Sequence, residues 1–304
     1  MPDAVRAMPG MAEQLRTQDA VAQRMRVRRR AAGALDFETF QPRAVFEGDR
    51  VVDIRQQVQN RARQLIEEFM IATNTCTAQF LAQHDRSALR RVVRSPERWQ
   101  RIQQVARKYG EELPPEPDSR ALEAFLARQR KADPQRFPDL SLVIVKLMGS
   151  GEYVVESPRG EPIGHFGLAV RDYTHSTAPN RRYPDLITLR MVKALLSGAP
   201  SPYGAAELAI LAEHCTRQED AAQKVERSVR KSEAALFLQG QVGQVFDAII
   251  TGRTESATWV RIFTPPVEGM LLAEDPSLEV GEKLRVRLVR TDVERGFIDF
   301  ETVS

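Results

Sequence analysis

Apolar and polar residues follow two different periods along the 304-residue chain. Through its first three quarters the spacing is mostly that of helices, and from Gly240 onward it is that of short strands. Between Asn60 and Gln83, Leu65, Phe69, Ala72, Cys76 and Phe80 recur at three- and four-residue intervals. That spacing predicts one long helix with a single apolar stripe and Asn60 as its N-cap. Residues 11–31 predict a helix closed by Gly33. Further helices are predicted over 96–109 and 119–131, divided by the Pro-rich stretch Leu113–Pro117. Two more follow over 184–196, stopped by Gly198 and Pro200, and over 205–238. Strand-like pieces fall at Ala34–Phe37, Arg43–Glu47 and Val51–Gln56, with a turn at Gly48 and Asp49. Leu140–Met148 fits either a helix or a strand, and His165–Val170 predicts a buried strand.

In the last quarter, Leu284, Val286 and Leu288 alternate with Arg285 and Arg287, and Trp259, Arg261 and Phe263 alternate with Val260 and Ile262. Period two marks half-buried strands. About five of them in roughly sixty residues suit an OB-type barrel. The fold class expected is α+β, with a mixed helical and strand portion over 1–238 and a five-stranded barrel over 239–304.

Composition narrows the function. With 42% hydrophobic and 28% charged residues, the chain has the balance of a soluble globular protein. No run approaches the ~20 apolar residues of a membrane span. Arg and Gln recur through the first thirty residues, unlike the apolar core of a secretory signal, so no membrane partner and a cytoplasmic location are expected. Cys76 and Cys215 lie in helix-like apolar patterns without metal or disulfide spacing, which predicts two buried free thiols. The four histidines show no metal spacing either. Net charge is +3, but its distribution says more. Arg24, Arg26, Arg28, Arg29 and Arg30 form one cluster, and Arg90, Arg91, Arg94, Arg98 and Arg101 another. Each is either a solvated helix face or a surface for an anionic partner.

The chemistry concentrates between His165 and Arg190. Tyr173-Thr-His-Ser-Thr-Ala-Pro-Asn-Arg-Arg182 packs hydroxyls, an imidazole and two guanidiniums into one loop ahead of a helix. Adjacent arginines supply forked donors for phosphate oxygens, and a helix N-terminus adds free N–H groups. Phe166, Tyr173 and Tyr183 offer flat faces to bases. The alternative is a polar loop whose arginines pair with Asp172 or Asp185. On the residues alone, Glu67 is a solvated charge beside the Leu65 stripe and Phe37 a core residue.

This stretch resembles the signature of the ribonuclease II and ribonuclease R (RNB) family. The matching residues are His165-Phe-Gly-Leu168, Tyr173, Thr177-Ala-Pro-Asn-Arg-Arg-Tyr-Pro-Asp-Leu186 and Arg190. Gly33-Ala-Leu-Asp-Phe37 and Asn60–Asn74 resemble the family's helix with paired glutamates. The tail from Gly240 to Phe300 is similar to the ribosomal-protein type of OB-fold. The resemblance covers nearly the whole chain from about Gly33, although Ala178, Asn180 and Leu189 depart from the usual Ser, Ile and His. It implies a 3′-to-5′ exoribonuclease that uses Mg²⁺, acts on single-stranded RNA and releases nucleoside monophosphates. By matched position it implies that Arg181 contacts the scissile phosphate, that Glu67 lines the RNA channel near the reacting end and that Phe37 stacks on the terminal base. It implies channel contacts for Glu226 and a shaping role for Tyr173 and Tyr183. Arg182, Arg190 and Phe166 in the loop region, and Trp259, Arg261 and Phe263 on the barrel, complete the expected RNA contacts.

The same resemblance implies a cluster of four aspartates holding Mg²⁺. The thirty residues before Gly33 contain only Asp3 and Asp19, and the nearest aspartates anywhere, Asp49 and Asp53, flank a turn. No metal ligand is therefore assigned. The expectation is a truncated RNB-type domain that keeps the phosphate-gripping arginine and the RNA-binding tail and cleaves poorly or not at all. Two alternatives stand beside it: a non-catalytic single-stranded RNA-binding protein, and one half of a two-chain enzyme whose partner polypeptide supplies the aspartates.

Overall fold

Helix boundaries follow local chemistry. The computed structural model describes residues 3–38, 42–56, 60–134, 136–157, 160–254, 257–272, 278 and 280–303. Helices α1 (Asp3–Arg6) and α2 (Met11–Ala31) lead to Gly33, whose φ of 101° only glycine adopts without strain. A Cβ there would meet Ser119 Oγ at 2.7 Å and the Arg120 nitrogen at 2.8 Å. Asn60 caps α3 (Arg61–Gln83) by accepting from the Arg63 N–H at 3.0 Å. Asp118 caps α5 (Ser119–Ala132), which follows α4 (Trp99–Lys108), by accepting from the N–H groups of Arg120 and Ala121. Leu140–Met148 lies in a helix, α6 (Phe137–Met148), and its buried residues Phe137, Leu140, Ser141 and Ile144 keep helical spacing. Helices α7 (Tyr183–Leu196) and α8 (Ala205–Leu238) complete the set.

Packing divides the chain into two compact units. The first comprises Met1–Phe37, Gln59–Pro134 and Val143–Gln218. It contains a two-stranded antiparallel sheet of β3 (Ala88–Val92) and β4 (Glu152–Glu156), placed after the hairpin strands β1 (Pro42–Glu47) and β2 (Arg50–Gln56) in chain order. Leu81, Leu89, Tyr153, Ile187, Met191, Leu208 and Cys215 form a core over this sheet.

The second unit comprises Glu38–Val58, Gln135–Leu142 and Glu219–Ser304. Strands β5 (Val245–Arg253), β6 (Thr258–Ile262), β7 (Glu268–Leu271), β8 (Lys283–Asp292) and β9 (Phe297–Thr302) close a barrel in the order β5-β6-β7-β9-β8. Among the barrel's described strand pairs, β7 and β9 alone run parallel. The barrel core of Ala248, Ile250, Val260, Ile262, Val286, Leu288, Ile298 and Phe300 also takes in Ile54 of the β1–β2 hairpin and Ala235 and Leu238 of α8.

Several expectations need correction. His165–Val170 is not a strand: Gly164 (φ 76°) and Ala169 (φ 53°) curl the chain, so the His165 N–H meets the Val170 carbonyl at 2.8 Å around a short 3-10 turn. Ala34–Phe37 pairs with no strand among the described residues. Strands β3 and β4 escaped the sequence pattern because β3 carries Arg90 and Arg91. Arg90 is buried at 3% exposure, its Nε 3.4 Å from Glu156, so the second arginine cluster begins in a strand and not on a helix face. On α3 the buried residues are Glu68, Ile71, Asn74, Ala78 and Leu81. At about 100° per residue these face nearly opposite to the Leu65–Phe80 stripe, which leaves Phe69 and Cys76 exposed.

Candidate nucleic-acid interface

The loop from Tyr173 to Arg182 is held from beneath by buried polar groups. Asn74, fully buried on α3, donates from Nδ2 to the Tyr173 hydroxyl at 3.2 Å, and its Oδ1 accepts from the Ser176 N–H and hydroxyl, both at 2.9 Å. Thr174 Oγ1 donates to the Leu89 carbonyl at 2.7 Å, and the Arg91 N–H donates to the Tyr173 carbonyl at 2.9 Å. Asp185, fully buried in the first turn of α7, accepts from the Ala178 N–H and from Arg182 Nη2, each at 2.8 Å. The neighbouring arginines therefore have different roles. Arg182 is a loop brace, while Arg181 is exposed and makes no side-chain ion pair among the described residues.

His175 sits against Tyr153, its Nδ1 2.7 Å from the hydroxyl. Burial, reinforced by the nearby Arg182 and Arg91, pulls its pKa down to about 3. His165 is lowered to about 4, again chiefly by burial. Both imidazoles are neutral at pH 7, and both pack edge-on against Tyr173.

Beside this loop, Asn60, Ala62, Arg63, Ile66, Glu67, Met70, Ile71, Leu168 and Tyr173 line a mostly apolar cleft of about 590 Å³. Glu67 stands half-exposed in it, 3.7 Å from Arg29 Nη2, and burial raises its pKa. Glu68 turns inward, where Arg29 grips it through two hydrogen bonds of 2.5 and 3.2 Å. The segment bearing Phe37 is fixed through its neighbours. The Asp36 carboxylate meets Arg26 at 2.6 Å, Arg130 at 3.1 Å and Arg30 at 3.3 Å, and the Leu35 N–H donates to the Gly167 carbonyl at 2.9 Å. Phe37 itself is half-buried. Arg26, Arg29 and Arg30 of the first arginine cluster are thus structural, whereas Arg24 and Arg28 are exposed.

The other candidates are dispersed. Phe166 packs edge-on against Trp99 at 6.4 Å and borders a different cavity, of about 540 Å³. Tyr183 is exposed, and Arg190 donates from Nη1 to the Tyr203 hydroxyl at 3.0 Å. In the second unit Glu226 is exposed and pairs with Arg230 at 2.5 Å. On the barrel Trp259 is half-buried and Phe263 is 42% exposed. Arg261 is buried, its Nη2 2.5 Å from Asp139 of α6.

The family model of the RNB domain matches residues 2–198. The chain belongs to the RNB family. A second model, the RNase II-type exonuclease C-terminal S1 domain, matches residues 244–303, which hold the barrel. Ribonuclease R 1 of Lactococcus lactis subsp. lactis is 28% identical over 305 residues, covering 90% of this chain and 36% of that protein. Ribonuclease R of Escherichia coli is 28% identical over 317 residues, with 91% and 38% covered. Ribonuclease R of Aquifex aeolicus is 26% identical over 348 residues, with 100% and 46% covered. The chain thus spans between 36% and 46% of the length of these relatives. Mycoplasma genitalium RNase R, in its apo form and in complex with ribose-methylated single-stranded RNA, matches with a TM-score of 0.85 at 18% identity over 96% of this chain and 50% of that one. Yeast Ssd1, described as a pseudonuclease, matches with a TM-score of 0.62 at 19% identity over 82% of this chain and 32% of that one. At these identities the structural likeness is one of fold.

Within this RNB chain, sequence reasoning passed over Asn74, which holds the loop, and the pairings of Arg29 with Glu68 and of Asp36 with Arg26, Arg30 and Arg130, while it named Asp185 only as an alternative partner for the loop's arginines. Only Arg182 and Asp185 carried a signal, their i, i+3 spacing at a helix start. Asn74 and Glu68 lie opposite the apolar stripe of α3, where hydrophobic periodicity predicts solvent.

Proposed function

We propose that this chain is the RNA-gripping portion of an RNB-type ribonuclease acting on single-stranded RNA from its 3′ end. Its parts are a nuclease-type portion over 1–238 and an OB-type barrel over 239–304. The observation that carries this is the sorting of two adjacent arginines, with Arg182 spent on Asp185 and Arg181 presented outward from a braced loop. The braced loop fixes the backbone that carries Arg181, so meeting a phosphate has only the side chain left to order. Glu67 and Tyr173 share the cleft beside the loop, a mostly apolar space suited to a terminal nucleoside. Phe37, Tyr183 and Arg190 supply further base and phosphate contacts. Support comes from the relatives named Ribonuclease R and from the matching fold solved with single-stranded RNA. The proposal includes a cytoplasmic location.

The family resemblance implies Mg²⁺ for hydrolysis, and the described residues do not fit it. Among them no three His, Cys, Asp or Glu side chains converge on one point. Glu67 and Glu68 diverge by about 100° on their helix, and Glu68 is already engaged by Arg29. The chain by itself is accordingly proposed to bind RNA and to hydrolyse it poorly or not at all. A purely RNA-binding role is the second reading, favoured by this same lack of a carboxylate cluster and by a fold shared with a pseudonuclease. A partner polypeptide supplying the carboxylates would restore the first.

The test is incubation of the chain with 5′-labelled single-stranded RNA, in Mg²⁺ and in EDTA, following cleavage and retention together. Salt-sensitive retention without shortening is the expected result. Mg²⁺-dependent shortening from the 3′ end would overturn the claim of poor hydrolysis, and no retention at any salt would overturn RNA binding itself.

A further inference from the structure

Outward positions on two barrel strands differ sharply in exposure. On β6, Val260 and Ile262 point into the core, so Arg261 faces out, yet it is only 5% exposed and ion-paired to Asp139 of α6. Its cross-strand neighbour on β5, Ile249, is 2% exposed. OB-type barrels ordinarily offer the face of their second and third strands to nucleic acid. Here the middle of the second strand is already covered by protein.

On β8 the inward Val286 and Leu288 are fully buried, while Lys283, Arg285 and Arg287 are exposed in a row. Alternate side chains on a strand stand about 6.7 Å apart, which lets each cation serve a separate phosphate of an extended strand. Phe263 lies at the edge of this row, with Lys283 Nζ 5.9 Å from its ring centroid. The Phe263 N–H donates to the Asp247 carbonyl at 3.1 Å, and Asp247 stands opposite Arg285 in the β5–β8 register. Ring and cations therefore lie across contiguous strands. Arg287 pairs with Glu301 at 2.9 Å in a nearly half-exposed contact, the kind that contributes little and yields readily. Arg285 makes no ion pair among the described residues.

We propose that the barrel takes single-stranded RNA on its β8 face, with Lys283 and Arg285 against successive phosphates and Phe263 under a base. This rests on the proposal that the chain binds RNA, and it assigns that binding to a different wall from the one such barrels usually present. An exposed ring flanked by cations suits a nucleic acid, which brings both a base and a phosphate. An acidic polypeptide would use the cations alone.

The experiment is fluorescence anisotropy of labelled oligoadenylate on the full chain across a salt series, with K283A/R285A, the milder K283Q/R285Q, F263A and R181A. Both double variants are expected to raise Kd about tenfold at low salt and to lower the log–log salt slope by about 1.4, at 0.7 per lost phosphate contact. F263A is expected to raise Kd about tenfold with the slope unchanged. Thermal melts should match wild type, because all three side chains are exposed. Wild-type affinity in these variants, with R181A alone weakened, would remove RNA from the β8 face while leaving the proposed function standing. Unchanged RNA affinity with lost binding to polyglutamate would assign the row to an acidic polypeptide and overturn the proposal. No RNA binding by wild type would overturn both.

Discussion

Arg182 reaches three residues ahead to the buried carboxylate of Asp185, Nη2 to Oδ1 at 2.8 Å, and in doing so leaves Arg181 as the outward guanidinium of the pair. Arg182→Ala is expected to strand a buried charge and destabilise the fold by about 3 kcal/mol. Arg181→Ala should leave stability within about 0.5 kcal/mol. The same Arg181 variant should weaken RNA binding only a few-fold and abolish turnover in any active form of the protein. Urea melts and binding titrations on both variants check the division. Equal stability losses would show that the two arginines share one structural role.

Asn74 joins α3 to the loop through three hydrogen bonds from a fully buried amide. Asn74→Ala is expected to cost about 2–3 kcal/mol, because it leaves buried Ser176 and Tyr173 groups without their partner. RNA affinity should fall with it, through disorder of the loop bearing Arg181. Hydrogen exchange of the loop amides and anisotropy on the same sample report the two effects. Loop protection unchanged from wild type would refute the bracing role.

Glu67 and Glu68 are neighbours with opposite environments. Glu68→Gln should destabilise, since the Arg29 guanidinium then faces a neutral amide in a buried site. Glu67→Gln should be close to neutral for folding and should alter only the handling of the RNA 3′ end. Denaturation midpoints for the two variants should therefore separate clearly.

Two buried histidines make stability depend on pH. His175 is held down to about 3 and His165 to about 4 by burial, against 6.5 when unfolded. Below 6.5 the unfolded chain therefore binds more protons than the folded one. The stability that neutral burial provides is present well above pH 6.5 and is lost as pH falls from there through about 4 for His165 and about 3 for His175. Between pH 7 and 8 the slope from the two groups should fade to near zero. Urea midpoints measured from pH 8 to pH 4 test this, and His175→Gln should remove close to one proton from the acid slope. An unchanged slope in that variant would show that His175 ionises freely in the fold.

Removing the barrel is a poor way to test it. Ile54, Ala235 and Leu238 share its core, so deleting Gly240–Ser304 should expose them and lower the solubility of the remainder. Light scattering of the truncated chain checks this. A monodisperse product with an unchanged melting temperature would mean the shared core contributes little.

Much of this molecule is legible in its amino-acid sequence. Asn60, Gly33 and Gly198 marked helix ends because capping and positive φ are local properties of one or two residues. The alternation in Leu284–Leu288 and Trp259–Phe263 marked barrel strands because it reports a wall with one dry side. The run His165–Arg190 marked the loop because so many donors and rings stand in one short segment. Tertiary structure alone decided which members of that run face outward, because Arg181 and Arg182 are the same residue type and differ only in whether Asp185 lies within reach. It also turned α3 so that Glu68 and Asn74 are buried and Phe69 is exposed, reversing the face that hydrophobic periodicity picks out. Periodicity records the average preference of side chains for water. It does not register a buried carboxylate met by Arg29 or a buried amide met by Ser176 and Tyr173, since those partners come from distant parts of the chain. The same reason hid the fate of Arg261: alternation placed it outside the barrel, and only the packing of α6 brought Asp139 to cover it.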